Sequence, residues 1–470
     1  MQYSIVKYSD VLHLEDLRFD ADYYKPKYLR DDAQLGKFDS ILIGDLAFVT
    51  DGQHGYHEVD DNSPICHLTA KNAKNWFADS IGADRLAKWV DDKNRRSSLK
   101  ENDLILSTRG TVGYCAIVKK DVLPANIDQD VARIAIDSKI IIPEYVLTFL
   151  NCEFGQDWLQ RNTTGMVQQG LSLQKVRQTP IPILDLEFQE SIRSVVVNAY
   201  DAIKYSENCF ENAQDLLLSE LGLSNWQPKH CLTFVKNYSD ADKARRIDAE
   251  YFQPKYDEIV KAIKSYSGGW DALGNLVSMK KCIEVGSEAY IDEGDIPFIR
   301  VSNLSSFELT EEKYISNELY AELSQHQPQK GEILFSKDAT PGIAYHLKEK
   351  PKKMIPSGGI LRLKAKNKQI NEDYLTLVLN SLIVKEQINR DVGGSVILHW
   401  RPEQVRETPI PILPEDKQSQ IQQKITESFN LRKQSKHLLE CAKRAVEIAI
   451  EQNEDAAIKW LEEQTKEEVF

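Results

Sequence analysis

The sequence has no long apolar run, no paired cysteines and no surplus of positive charge, and each absence narrows what the chain can be. No stretch reaches eighteen uninterrupted apolar residues, so the sequence predicts no membrane span. Its start, MQYSIVKYSD, lacks a basic segment followed by an apolar one, so no signal peptide is expected. The seven cysteines, Cys66, Cys115, Cys152, Cys209, Cys231, Cys282 and Cys441, are scattered, odd in number and form no C-x-x-C pair. That pattern points to a reducing cytoplasm and away from a zinc site. A phosphate-binding loop, H-E-x-x-H, G-x-S-x-G, a Gly-rich cofactor loop and an N-P-P-[YF] methyltransferase motif are all missing. The nine histidines show no ligand spacing, and acid pairs such as Asp60-Asp61 and Asp91-Asp92 read as hydrated surface. No catalytic centre is predicted.

What is present is ordinary globular composition, 41% hydrophobic and 28% charged over 470 residues, enough for two or three domains. The formal charge of −13 is awkward for a nucleic-acid binder, because phosphate contacts need Lys and Arg. Basic runs do occur at Lys93, Arg95, Arg96 and Lys100, and at Lys348, Lys350, Lys352 and Lys353. They read equally well as solvated surface.

The chain repeats itself. VRQTPIPIL at Val176–Leu184 returns as VRETPIPIL at Val405–Leu413, 229 residues later. RFDADYYKPKY at Arg18–Tyr28 returns as RIDAEYFQPKY at Arg246–Tyr256. Between these anchors Asp103–Ser107 matches Glu332–Ser336, Thr111 and Gly113 match Thr340 and Gly342, and Tyr145, Gly165 and Gln189 match Tyr374, Gly394 and Gln418. Framework and glycines persist while polar loop residues change: Ser-Thr-Arg-Gly-Thr at Ser107–Thr111 becomes Ser-Lys-Asp-Ala-Thr at Ser336–Thr340, and Gln53, His54 and Tyr56 have no counterpart. One scaffold with two sets of loops suggests two related but different ligands.

Each copy reads as a mixed α/β globule of roughly 150 residues. Strands are predicted at Leu104–Ser107, Tyr114–Val118 and Val131–Ile136, then at Ile333–Phe335, Ile343–Tyr345 and Ile360–Leu363, with helices at Tyr145–Cys152 and Tyr374–Ile383. The prolines of TPIPIL block both a helix and a ladder, which predicts a stiff extended connector. A long helix follows, from near Gln189 to about Leu221. Ile192, Val196, Ala199, Ile203, Ser206, Phe210, Ala213 and Leu217 form a coiled-coil seam on it. The second copy offers Ile421, Ile425, Ser428, Arg432, Ser435, Leu439, Ala442 and Val446, a poorer seam in its middle. The expected architecture is an α/β (mixed α+β) chain of two tandem, pseudo-twofold-related globules separated by two long antiparallel helices. Its expected bounds are 1–184, 185–228, 229–413 and 414–470.

The ordered set R-x-D-A-x-Y-x-x-P, I-L-x-S-x-x-x-T-x-G and T-P-I-P-I-L with a Gln five residues on, followed by a long helix, resembles the specificity subunit of type I restriction–modification systems. It covers essentially the whole chain, in both copies. The resemblance implies two target-recognition domains that each read half of a split, asymmetric double-stranded DNA sequence. It implies helices that set the spacing and bind two modification (methyltransferase) subunits, to which restriction (translocase/nuclease) subunits can add. S-adenosylmethionine, ATP and Mg would then belong to those partners, with no cofactor and no metal here. A duplicated scaffold that assembles proteins without touching DNA is the competing reading. Base-edge hydrogen bonds would come from the variable loops. The candidates are Thr108 and Arg109, then Gln53 and His54, in the first copy. In the second they are Lys337, Arg300, Ser302 and Asn303, with His399, in the Gly393-Gly394 loop, behind them.

Overall fold

The computed structural model describes residues 4–8, 11, 18–165, 169–392 and 398–466. They divide into two compact units, 1–203 with 432–470, and 204–431.

In the first unit a four-stranded antiparallel sheet runs β2–β8–β5–β6, from β2 (Ala47–Asp51), β5 (Leu104–Ser107), β6 (Cys115–Ile117) and β8 (Val131–Ile136). A smaller sheet runs β4–β3–β7, from β3 (Cys66–Leu68), β4 (Asp84–Arg85) and β7 (Ala125–Ile127). Every residue of β5 is buried, as its unbroken apolar run requires. Helices α1 (Pro26–Leu35), α2 (Pro143–Asn151) and α3 (Glu153–Arg161) complete the globule. α1 and α2 each start on a proline, whose missing N–H costs nothing at the first helical position. After the globule comes helix α4 (Leu186–Glu220).

The second unit repeats this plan. Helix α5 (Pro254–Lys264) precedes a sheet ordered β11–β18–β14–β16, from β11 (Val277–Lys281), β14 (Ile333–Ser336), β16 (Ala344–His346) and β18 (Ile360–Ala365). The small sheet is β13–β12–β17, from β12 (Ile296–Ile299), β13 (Tyr314–Ile315) and β17 (Ile355–Pro356). Helices α6 (Glu372–Asn380) and α7 (Leu382–Asp391) follow, and then α8 (Glu415–Glu451) and α9 (Glu454–Lys466). The expected single helix Tyr374–Ile383 is therefore two. It breaks at Ser381, which is extended and whose hydroxyl bonds back to the Val378 carbonyl.

The connector also differs from expectation. Pro180–Pro182 (β9) does form a ladder, with Ser40–Leu42 (β1), and Pro409–Pro411 (β20) pairs likewise with Trp270–Ala272 (β10). Each ladder has only two strands, so the proline nitrogens can face the open side, where no donor is needed. The connector is bolted to its globule by a buried tyrosine. Tyr145 Oη donates to the Pro182 carbonyl at 2.8 Å, and Tyr374 Oη to Pro411 at 2.8 Å. A buried glutamine then ties connector, helix and globule. Gln189 Nε2 donates to the Leu184 carbonyl at 2.8 Å while its Oε1 accepts from Ile142 N at 3.2 Å; Gln418 does the same with Leu413 at 2.8 Å and Asn371 N at 2.9 Å.

The long helices pair antiparallel. In the first unit Ile192, Val196 and Ala199 share one core with Leu439, Ala442 and Val446, and Ser435 Oγ donates to the Ala199 carbonyl at 2.7 Å. In the second, Ala213 and Leu217 share a core with Ile421 and Ile425, Ser206 and Ser428 meet at 2.9 Å, and Lys417 pairs with Glu220 at 2.8 Å. The small residues that make the seam look poor in the sequence are sealed in it. Ile203, Phe210 and Arg432 are only half-buried. Among the described residues no helix is long and apolar enough to cross a membrane.

One buried ion pair staples each main sheet. Arg133 Nε meets Asp103 at 2.7 Å, and Arg362 grips Glu332 with two nitrogens at 2.8 and 3.1 Å. Burial outweighs Arg133 and holds the Asp103 carboxyl above its ordinary range. Removing one partner strands a buried charge. Asp103→Ala is therefore expected to cost about 3–5 kcal/mol in urea unfolding, while Asp103→Ala with Arg133→Met costs less than the single change.

Candidate nucleic-acid interface

The candidate residues of the first unit gather at one end of its main sheet. β2 and β5 leave the sheet where β8 enters it, as the pairings Asp51↔Ala132 and Ser107↔Val131 show. Residues 52–57, 108–113 and 128–130 therefore emerge side by side. The first loop is fixed by close packing: a Cβ on Gly52 would lie 1.8 Å from the Ile127 carbonyl oxygen. The second is held by Ser107, whose Oγ donates to the Thr111 carbonyl at 2.6 Å and accepts from Tyr114 N at 2.9 Å. Gly113, at φ +100°, turns the chain back into β6.

Arg109 projects from this end, with its side chain 48% exposed and one nitrogen 3.5 Å from Asp130. Among the described residues, the rest of its donor fork has no side-chain ion pair. Thr108 does not project. It is 4% exposed, and its hydroxyl donates to the Asp130 carbonyl at 3.0 Å. It anchors the turn and leaves Arg109 as the outward side chain. Gln53 is half-buried, tied to the Tyr56 carbonyl at 2.8 Å and to Asn94 at 3.3 Å. His54 is exposed and meets Asp51 at 2.8 Å; Arg96 reaches the other oxygen of Asp51 at 3.2 Å. Tyr56 stands in solvent, with the His57 ring stacked beside it at 6.4 Å and His57 resting in turn on buried His67 at 4.0 Å. Burial pulls His67 down to about 4, so that ring is neutral.

The corresponding end of the second unit holds Lys337 and His399. Lys337 is half-buried and ion-paired with Asp338, which also accepts from or bonds to His399 Nδ1 at 2.9 Å. Ser336 repeats the Ser107 clamp, at 2.6 Å to the Thr340 carbonyl and 2.8 Å to Ile343 N. Arg300 follows β12 and bonds Glu312 at 2.5 Å. Asn303 is buried: its Oδ1 accepts from Arg300 N at 3.1 Å and its Nδ2 meets Thr310 at 3.3 Å. Asn72 makes the same contact with Thr69 N at 2.9 Å in the first unit, so this asparagine braces a turn common to both. Ser302 is exposed on that turn, where the first unit carries exposed Lys71. Gly393 and Gly394, which the sequence places beside His399, lie outside the described residues.

Sequence reasoning missed the acids. Asp51, Asp130 and Asp338 hold the basic side chains in place, yet no motif marks them. Members of the basic runs are likewise tethered: Arg95 to Asp92 at 2.8 Å, Lys348 to Asp373 at 3.2 Å and Lys352 to Glu311 at 2.6 Å. Among the described residues no group of three or more His, Cys, Asp or Glu is placed to hold a metal ion. The geometry is that of a binding surface built from paired charges on rigid turns, duplicated with different side chains.

Comparison with known proteins agrees with that class. The model of the type I restriction modification DNA specificity domain matches residues 63–212 and 225–440, one match in each half, and the chain belongs to that family. It is 29% identical over 108 residues to the type I restriction enzyme EcoBI specificity subunit of Escherichia coli, a stretch that covers 23% of either protein. Among solved structures it is similar to the type I restriction–modification system S subunit from M. genitalium, at 14% identity and a TM-score of 0.36, covering 90% of this chain and 96% of that one. The HsdS subunit from Thermoanaerobacter tengcongensis gives 13% identity and a TM-score of 0.28, covering 88% and 97%. Membership rests on the family match over both halves.

The turn beneath Arg109 contains a titrating group. Burial pushes the Asp128 carboxyl up to about 6, against the pull of the Asp130 N–H, which donates to it at 3.0 Å. A carboxyl raised on folding favours the folded state at low pH and loses that contribution as pH rises through the folded value. Asp128→Asn is therefore expected to gain stability over the parent between about pH 4 and 6, with the gap constant above that window, as read by thermal unfolding at a series of pH values.

Proposed function

We propose that the chain selects the DNA target of a type I restriction–modification complex, each unit reading one half of a split, asymmetric duplex sequence. It is the recognition component of that complex and works in the cytoplasm. Two modification subunits dock on α4 and α8, and restriction subunits can add to them. Those partners carry S-adenosylmethionine and, where present, ATP and Mg.

One observation carries this reading. The two units present the same turns from the same end of the same sheet, with different hydrogen-bonding side chains on them. A shared backbone with altered side chains is what two different base sequences require, because bases are told apart by donor and acceptor patterns in the major groove. The acidic charge is consistent with recognition assisted by partners. The basic side chains at these ends are already oriented by carboxylates, and bulk phosphate neutralisation falls to the modification subunits.

Arg109 is the test in the first unit. An arginine fork pairs with guanine N7 and O6. Arg109→Ala is expected to weaken binding of the cognate duplex by about 1–3 kcal/mol and to relax one position of one half-site, measured at fixed salt with single-base variants. Equal weakening for every sequence would make Arg109 a phosphate contact.

A further inference from the structure

The turn that carries Arg109 has a partner in the second unit that is the same turn atom for atom in its backbone bonding. Thr108 N donates to the Asp130 carbonyl at 2.8 Å, and Lys337 N to the Gly359 carbonyl at 2.9 Å. The Thr108 carbonyl accepts from Leu171 N at 2.8 Å, and the Lys337 carbonyl from Trp400 N at 2.8 Å. Arg109 bridges Gly170, and Asp338 pairs with His399. Gly110 has φ +74°, and Ala339 is held at φ +59°, a left-handed conformation that costs a residue with a Cβ. The second unit keeps this backbone even though it carries alanine where the first has glycine.

These equivalences put Asp338, not Lys337, in the place of Arg109. The charges at that place are inverted. In the first unit the base lies on the turn and the acid, Asp130, on the neighbouring strand entry; Gly170 opposite leaves the guanidinium fork open. In the second unit the acid lies on the turn, Gly359 vacates the position of Asp130, and His399 replaces Gly170. A lone carboxylate would repel phosphate. This one is flanked by Lys337 and His399, which hold one oxygen each. A carboxylate oxygen has further lone pairs to offer after those bonds are made.

Resting on the reading above, we propose that this position determines specificity in both units. Arg109 reads hydrogen-bond acceptors, and Asp338 reads a hydrogen-bond donor: the exocyclic amino group of a cytosine (N4) or an adenine (N6) in the major groove of the second half-site. Lys337 and His399 offset its charge and fix its orientation.

The experiment is a selection from a random duplex library, using the full chain assembled with modification subunits, for the parent, Asp338→Ala and Asp338→Asn, with Arg109→Ala as the control for the other half-site. Asp338→Ala is expected to lower discrimination at one position of the second half-site by roughly ten- to a hundredfold and to leave the first half-site intact. Asp338→Asn distinguishes the two bases, since an amide pairs with adenine N6 and N7. Preference moves to adenine if the parent reads cytosine, and stays if it reads adenine. The assignment is overturned if Asp338→Ala leaves every position as strict as in the parent, or lowers affinity for all sequences alike. A parent assembly that selects no sequence at all would instead overturn the DNA-reading function itself.

Discussion

The buried phenol that bonds to each connecting strand is the constraint the rest depends on. Tyr145 and Tyr374 each give their one proton to a proline-segment carbonyl, at the point where the chain leaves a globule for a long helix. Both oxygens lie in the core, where a lost partner costs more than the bond itself contributes. Gln189 and Gln418 add an amide that bonds globule and connector at once. A flexible hinge at these points would let a globule wander relative to its own helix. The clamp removes that freedom, so the turns at the end of each sheet are held by the same framework that buries the seam.

That rigidity lets the two units carry different side chains on the same turns. Much of what shapes the turns is common to both: the serine clamps, the positive-φ glycines at Gly113 and Gly342, the bracing asparagines Asn72 and Asn303, and the backbone bonds around Thr108 and Lys337. The outward side chains differ. Arg109 stands opposite Asp130 in one unit, and Asp338 stands between Lys337 and His399 in the other. Local acids also answer the puzzle of the net charge. At these ends they orient the basic groups beside them.

Much of this was legible before any coordinates. The strands at Leu104–Ser107 and Val131–Ile136 fall where continuous apolar runs place them, and the seam from Ile192 to Leu217 follows its heptad steps. Repetition at one offset made the duplicated scaffold readable, because two copies cross-check each other. The errors have physical causes. Two-stranded pairing tolerates the connector prolines, since only one side of the strand must bond. Thr108 and Asn303 look like surface polar groups in the sequence, but their hydrogen-bonding capacity is spent inside turns. Asp130 and Asp338 carry no motif; their importance comes from strands far apart in sequence that bring them beside a base. His399 was flagged for its place in the Gly393-Gly394 loop, whereas its position in the structure follows from pairing with Asp338.

The most direct test of two heads on one scaffold is sequencing of modified bases across the genome of a host carrying this chain with its modification partner, and of the same host with the chain deleted. The account predicts a single split motif with two different halves that vanishes on deletion. Modification that is unchanged without the chain, or a motif whose halves are identical, contradicts it.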